Sequence, residues 1–320
     1  MKISRLQVCI GGGLLWLLTF SASSLEFQNC GQTWTLSQPP QRIIALNQHA
    51  ADILISLHAG PEMAGVSYID DDQQAKNKGN YHGVPVIARQ YPSPEILYAS
   101  HTDLVVAGFS SAFTGGPLAR ETLNRHHIGS YLLSAACLNS RPPSIELALT
   151  DIRTLGEILG KQERAVRLIA DIQHQRTKTA SLPHLTHPPS VFFYDSGDSE
   201  LHTQGERGFV SVLLHEAGAK NTFDEIQLSN FTVSAEALIQ RDPDIILLTD
   251  AIWSTADSKI ALLEQHLALS QLRAVREKRY IVIPFTHLYP GIYSGSALYS
   301  LALKIRELNL PRSPSHENIP

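Results

Sequence analysis

Two short stretches of this chain carry the same pattern, and they lie on either side of a long helical segment. Ser93-Pro94-Glu95-Ile96-Leu97, then Thr102-Asp103-Leu104-Val105-Val106, aligns without a gap with Ser234-Ala235-Glu236-Ala237-Leu238, then Pro243-Asp244-Ile245-Ile246-Leu247. Each copy reads as a helix opened by a serine cap, with a carboxylate in the first turn where the helix dipole favours it, followed by a loop aspartate and a buried apolar strand. A duplicated helix-to-strand unit predicts two α/β lobes of related topology with a ligand cleft between them. The intervening segment, Ser144 to Leu182, is predicted to join the lobes as a long rigid helical connector. Ile145, Leu149, Ile152, Leu155 and Leu159 hold one face as far as Gly160, and Ala165, Leu168, Ile169 and Ile172 hold one face of a second helix that starts at Gln162. A stiff connector restricts the lobes to small hinge motions. The expected boundaries are 1–24 for a leader, 25–143 for the first lobe, 144–182 for the connector and 183–320 for the second lobe.

The other segments alternate between strand and helix, which makes the fold class α/β with mainly parallel sheets. In the first lobe a strand or hairpin is predicted over Leu25 to Leu36. Then come a strand at Arg42 to Leu46, a helix at Gln48 to His58, a strand at Met63 to Ser67, a polar insertion from Asp70 to Gly79 and an extended piece at Val84 to Ile87. A helix from Pro117 to His126 and a strand from Ser130 to Leu133 close it. In the second lobe the corresponding segments are a strand at Val191 to Tyr194, a polar turn from Asp195 to Glu200, and a helix at Gly208 to Ala217. Two helices at Lys259 to Leu267 and Gln271 to Arg276 follow, then a strand at Arg279 to Pro284 and a last helix at Gly295 to Leu308.

The N-terminus has the form of an exported protein's leader: Lys2 and Arg5, a largely apolar run from Leu6 to Phe20, then Ser21-Ala22-Ser23-Ser24. The apolar run is shorter than the roughly 20 residues that a membrane span needs. Losing Lys2 and Arg5 from 26 basic residues leaves 24 against 30 acidic, and no Lys/Arg run occurs, which argues against nucleic acid as a partner. Cys9 would leave with the leader, so Cys30 and Cys137 remain in an oxidising compartment, and an even count there favours a disulfide over two buried free thiols.

No catalytic constellation emerges: the chain has no G-x-S-x-G, P-loop or HExxH pattern, and His215-Glu216 lacks a second histidine one turn later. His49, His202 and His287 fall at predicted strand ends, where α/β sheets bind ligands, and with Asp70, Asp195 or Asp250 they are candidates for a bare metal. No pair of them has ligand spacing on one element. The same edges supply Tyr68, Tyr91, Phe109, Phe113, Tyr194, Trp253, Phe285 and Tyr289, interleaved with Arg89 and Arg207. Any one aromatic is explained by core packing. As a set recurring in both halves they suit a bulky, partly apolar and anionic ligand gripped by flat faces and a few directed polar groups.

Several stretches carry a family resemblance: Pro40-Gln41-Arg42-Ile43-Ile44-Ala45-Leu46, Pro92-Ser93-Pro94-Glu95 with Asp103-Leu104-Val105-Val106, Gly218-Ala219-Lys220-Asn221, and Ser234-Ala235-Glu236 with Asp242-Pro243-Asp244-Ile245-Ile246. From Gln38 to Leu308 the chain resembles the periplasmic substrate-binding proteins of ABC importers for ferric siderophores, haem and cobalamin. The resemblance implies a monomeric periplasmic receptor, without enzymatic activity or a cofactor of its own, that captures an iron chelate in the cleft and delivers it to an ABC permease. It also places Glu95 and Glu236 on the family's two permease-docking positions. The motifs build the scaffold and not the pocket, so three other expectations stand beside the ferric siderophore: a cobalamin or haem receptor, a bare transition-metal receptor, and an exported hydrolase.

Overall fold

The structure, a computed structural model, describes residues 24–69, 71–115, 118–137 and 143–309. Residues 1–23 of the expected leader, Asp70 and Pro117 lie outside the described residues. Among those described, no helix is long and apolar enough to cross a membrane.

The chain opens with an antiparallel hairpin, β1 (Leu25–Asn29) and β2 (Gln32–Leu36), turned at Cys30 and Gly31. Both turn residues have positive φ, 53° and 76°. Phe27, Trp34 and Leu36 bury one face of the hairpin, the period-2 pattern of a half-covered strand pair. Strand and helix then alternate: β3 (Ile43–Leu46), α1 (Gln48–Ser56), β4 (Met63–Ser67), α2 (Gln73–Lys78), β5 (Asn80–Tyr81), β6 (Val84–Ala88), α3 (Pro94–Ala99), β7 (Leu104–Ala107), α4 (Arg120–Arg125) and β8 (Gly129–Leu132). The sheet order is β5-β6-β4-β3-β7-β8, parallel except for the β5–β6 pair. Every residue of β3 and β7 is buried, as central strands covered on both faces require. One segment departs from the sequence reading: the polar insertion contains α2. The Asp72 side chain accepts from Ala75 N at 2.8 Å, Gly79 ends the helix at φ 63°, and Ala75 is its one buried residue, so no apolar stripe announced it.

Two helices follow, α5 (Ile145–Ile158) and α6 (Gln162–Ala180), separated by Gly160 at φ 65°. They pack closely where a Cβ built on Gly156 would stand 2.5 Å from that of Ala165. α6 has 19 residues and so spans about 28 Å. The second sheet region comprises β9 (Ser190–Tyr194), β10 (Leu201–Thr203), α7 (Phe209–Ala217), β11 (Lys220–Asn221), β12 (Phe231–Val233), α8 (Ala235–Arg241), β13 (Ile245–Asp250), α9 (Ala256–Gln265), α10 (Arg273–Arg276), β14 (Tyr280–Pro284) and α11 (Ser294–Asn309). Its four-stranded sheet, β11-β9-β13-β14, is wholly parallel, and β10 with β12 forms a small antiparallel ribbon that the sequence reading did not foresee.

α6 packs on α11 and α7. Arg176 pins it further, donating to Glu216 at 2.7 and 2.8 Å and to Glu146 at 2.6 Å. One apolar cluster runs unbroken from Ile43 in the first sheet through Leu155 and Ile172 to Val191 in the second. A continuous core of this kind is what makes the junction stiff, because separating the lobes widely would expose it.

The duplicated pattern has a structural counterpart. Ser93 Oγ accepts from Ile96 N (3.5 Å) and Ser234 Oγ from Ala237 N (3.3 Å), opening α3 and α8 alike. Asp103 accepts from the backbone N–H groups of Gln41 (2.6 Å) and Arg42 (3.0 Å), while Asp103 N donates to Arg42 O. Asp244 accepts from Ser190 N (2.8 Å) and its own N donates to Ser190 O (3.0 Å). Each loop aspartate thereby fastens the start of the neighbouring parallel strand and sets the pairings Ile43 with Leu104 and Val191 with Ile245. The Cys30–Cys137 disulfide, closing 107 residues of chain, ties the hairpin turn to the segment just before the connector.

Candidate ligand-binding cleft

Asn47 to His49 follow β3, Tyr68 and Asp71 follow β4, Phe109 follows β7, Asp195 follows β9, Trp253 follows β13, and Phe285 to Tyr289 follow β14. All of these positions except His287 line two adjoining cavities, so the cleft is built from the C-terminal edges of both parallel sheets. It has two chambers. One, of about 310 Å³, is lined by Gln204, Arg207, Ser229, Asn230 and Leu133 among others; the second, of about 260 Å³, is lined by Asn47, Gln48, Tyr68, Asp71, Asp195, Trp253 and Phe285. His49, Phe109 and Tyr289 border both and form a wall that the two chambers share.

That wall is a ring stack. His49 lies nearly parallel to Tyr289 at 5.1 Å and edge-on to Phe109 at 4.7 Å; Tyr289 meets Phe285 at 5.0 Å, and Phe285 meets Trp253 at 5.4 Å. Such a run of faces and edges from both sheets gives the two chambers a shared aromatic lining. Trp253, 49% exposed, stands at its open end. His49 is buried, and desolvation lowers its pKa to about 4, so the imidazole is neutral at pH 7.

The first-lobe wall depends on Asn47, which the sequence reading did not single out. Asn47 is buried at φ 84°, where asparagine is among the few tolerated residues. Its Oδ1 accepts from Gly108 N (3.2 Å) and Phe109 N (3.3 Å), and its Nδ2 donates to the Tyr91 hydroxyl (3.3 Å). Tyr91 also bonds Ser111 Oγ at 2.8 Å and lies 4.8 Å from the Tyr68 ring, so it braces Tyr68 beside the second chamber. The available signal was an asparagine placed between a buried strand and a helix, which is a turn residue with φ > 0 capacity.

The second chamber is acidic. Asp71 Oδ1 accepts from Ile252 N at 2.9 Å, a direct link between the lobes, and burial raises its pKa. Burial also raises Asp195. Beneath them Lys259, 3% exposed, donates to Thr249 O (2.7 Å), Thr249 Oγ1 (3.1 Å) and Ser254 O (2.9 Å), which fixes the turn bearing Ile252 and Trp253. Desolvation lowers the pKa of this lysine, and Asp195, Asp250 and Asp71 oppose that. Lys259 was not foreseen, because a lone lysine in an amphipathic helix reads as a solvent-facing residue.

Of the aromatic and basic residues chosen from sequence, the structure gathers Tyr68, Phe109, Arg207, Trp253 and Tyr289 on the cleft and Tyr91 just behind it. Tyr194 lines neither chamber: it is fully buried against Phe192 and donates its hydroxyl to Gly197 O at 2.6 Å. Arg89 is exposed at the end of β6 and lines neither chamber. His287 stacks on Tyr293 at 4.4 Å, away from His49, and His202 is an exposed residue of β10. Among the described residues no three His, Cys, Asp or Glu side chains gather into a metal-holding group. Glu95 and Glu236 are fully exposed and border neither chamber; hydrogen bonds from Ser93 and Ser234, and from the helix backbone, hold both carboxyls below their ordinary pKa.

With this geometry the comparisons with known proteins agree. Residues 43–286 match the sequence model of the family described as periplasmic binding protein, and the chain belongs to that family. A relative from Vibrio campbellii described as a vitamin B12-binding protein is 24% identical over 226 residues, covering 68% of this chain and 75% of the relative. A crystal structure of a periplasmic binding protein from Veillonella parvula has a TM-score of 0.77 at 21% identity, covering 89% of this chain and 98% of that one. The structure of an ABC-type Fe3+-hydroxamate transport protein from Saccharomonospora viridis has a TM-score of 0.70 at 19% identity, covering 88% and 98%. The chain is thus a periplasmic binding protein by family, as the sequence motifs implied, and its fold is that of the two solved structures.

Proposed function

We propose that this protein is an exported, monomeric receptor for a corrinoid, delivering it to an ABC permease and catalysing no reaction. The observation that carries the reading is the pairing of a long aromatic wall with a cleft poor in positive charge. Among the described residues Arg207 is the one Lys or Arg lining either chamber, against Asp71 and Asp195. A chelate carrying several anionic groups would meet net repulsion in a low-dielectric cleft. A corrinoid has a broad flat body, a rim of neutral amides and one phosphodiester, and it meets none. The vitamin B12-binding relative supports the same class. The ferric siderophore anticipated from sequence is the second reading, favoured by the likeness to the Fe3+-hydroxamate transport protein, and a neutral hydroxamate chelate would escape the charge argument.

Titrating the mature protein with cyanocobalamin, haemin, a ferric hydroxamate and a ferric catecholate, read by quenching of Trp253 and its neighbours, separates these readings. Cobalamin should saturate the signal at one equivalent. Saturation by the hydroxamate with no response to cobalamin transfers the assignment to an iron chelate.

Delivery rests on Glu95 and Glu236, one per half, which we assign to docking against basic residues of a two-subunit permease. Exposed pairs of this kind add modest affinity and set encounter rate and register. Glu95→Ala with Glu236→Ala should leave ligand affinity unchanged and abolish salt-sensitive binding to the permease. Unimpaired transport by the double variant refutes the assignment. The same reading takes 1–24 as a cleaved leader, 25–143 and 183–320 as the lobes and 144–182 as the connector.

A further inference from the structure

The two chambers differ in charge as well as in position. Among the described residues the larger one has no carboxylate in its lining; Arg207 is exposed there, and no ion pair or hydrogen bond among them engages its guanidinium. Gln204, Ser229 and Asn230 surround it with neutral polar groups. Glu206, its neighbour in sequence, points instead to His215 at 3.9 Å. The smaller chamber presents Asp71 and Asp195 and, among the described residues, no cation lines it; the Lys259 ammonium beneath donates to Thr249 and Ser254. A ligand lying along the His49, Phe109 and Tyr289 wall therefore has an anion-accepting end and an end that accepts hydrogen-bond donors.

We propose that Arg207 reads the one anionic group of the ligand, a phosphodiester, so that the receptor selects a complete corrinoid with its nucleotide over the same macrocycle without it. This rests on the corrinoid reading and adds an orientation to it. A phosphodiester offers two oxygens in the spacing that a guanidinium fork matches, and the free guanidinium of Arg207 needs no existing pair to be broken. Turned the other way, that anion would face Asp71 and Asp195. The corrinoid's neutral amide N–H groups, by contrast, find acceptors in those two carboxylates.

Calorimetric titration of the purified protein with cyanocobalamin and with dicyanocobinamide, which lacks the nucleotide and its phosphodiester, tests this directly. The wild type should prefer cobalamin by at least about tenfold, which is about 1.4 kcal/mol. In Arg207→Gln the preference should fall to within about threefold with cobinamide affinity unchanged, and Arg207→Lys should keep part of it, since it retains the charge and loses the fork. Unchanged cobinamide binding also shows that the variants fold, and inorganic phosphate alone should not compete if the anion is read as part of the corrinoid. Equal affinity of the wild type for the two corrinoids, or an undiminished preference in Arg207→Gln, overturns the proposal while leaving the corrinoid reading in place. Failure of both corrinoids to bind overturns that reading and the proposal with it.

Discussion

Replacing Gly108 by alanine should damage the cleft wall through a single methyl group. A Cβ at this position would stand 2.1 Å from His49 Nε2 and 2.3 Å from His49 Cε1, distances that real contacts do not reach. His49 cannot swing aside freely, because it is 8% exposed and packed against the rings of Phe109 and Tyr289. The backbone of Gly108 is equally fixed, with its N–H shared between Leu46 O (3.0 Å) and Asn47 Oδ1 (3.2 Å). Overpacking in a well-filled site costs about 1–3 kcal/mol. At about 2–4 °C per kcal/mol for a chain approaching this size, the melting temperature should fall by roughly 2–12 °C, and ligand affinity should fall with it. A double-mutant cycle isolates the cause. His49→Ala empties the space the new methyl needs, so Gly108→Ala should be less costly in that background by about 1–3 kcal/mol. Urea denaturation of the four proteins measures the cycle. A Gly108→Ala protein as stable as the wild type, or additive losses in the cycle, would refute the wall as described.

Truncating the half-exposed Trp253 to alanine should weaken the ligand by about tenfold or more, the usual worth of an aromatic anchor, and calorimetry should show it without a change in melting temperature. The Cys30–Cys137 bridge closes 107 residues, for which removal should cost about 2–5 kcal/mol; denatured, unreduced mature protein should titrate with no free thiol, and two thiols per chain contradict the bridge. Asp52 is buried beside the Tyr81 hydroxyl, and desolvation raises its pKa to about 6. The folded state therefore holds this proton more tightly than the unfolded chain, whose carboxyl titrates near 3.9, so stability declines as pH rises from about 4 to about 6. At about 1.4 kcal/mol per pH unit the decline is roughly 3 kcal/mol. Burial raises Asp151 to about 6 as well, so Asp52→Asn should remove only the Asp52 share of the decline from urea denaturation curves, and an unchanged slope in that variant would show that Asp52 is not a titrating group there.

The duplicated stretches around Glu95 and Glu236 were readable because they repeat local chemistry: a serine cap, a first-turn carboxylate and an all-apolar strand. Their aspartates were visible as loop residues, but their task was not. Whether Asp103 fastens the start of β3, and Asp244 that of β9, is decided by a strand more than fifty residues away. The cleft aromatics were legible for a related reason: residues just after buried strands must lie at one sheet edge, which located Tyr68, Phe109, Trp253 and Tyr289. The same rule could not tell that the Tyr194 ring turns into the core, because alternate positions at a strand end point to opposite faces. Asn47 and Lys259 escaped notice because their importance lies in long-range partners, Phe109 and Tyr91 for one and the Thr249 carbonyl for the other. The helix α2 is mostly exposed and each strand of the β10–β12 ribbon has only three residues, so neither offers the length of apolar periodicity on which sequence reading depends.

The central claim, that a corrinoid lies between the two sheet edges, is tested most directly by crystals of the mature protein grown with cyanocobalamin. The measurement is an anomalous difference map at the cobalt absorption edge. The account requires one cobalt peak per chain in the cleft, beside the wall of His49, Phe109 and Tyr289, with the phosphodiester turned toward Arg207. A cobalt peak elsewhere on the surface, or an empty cleft at saturating ligand, would contradict it.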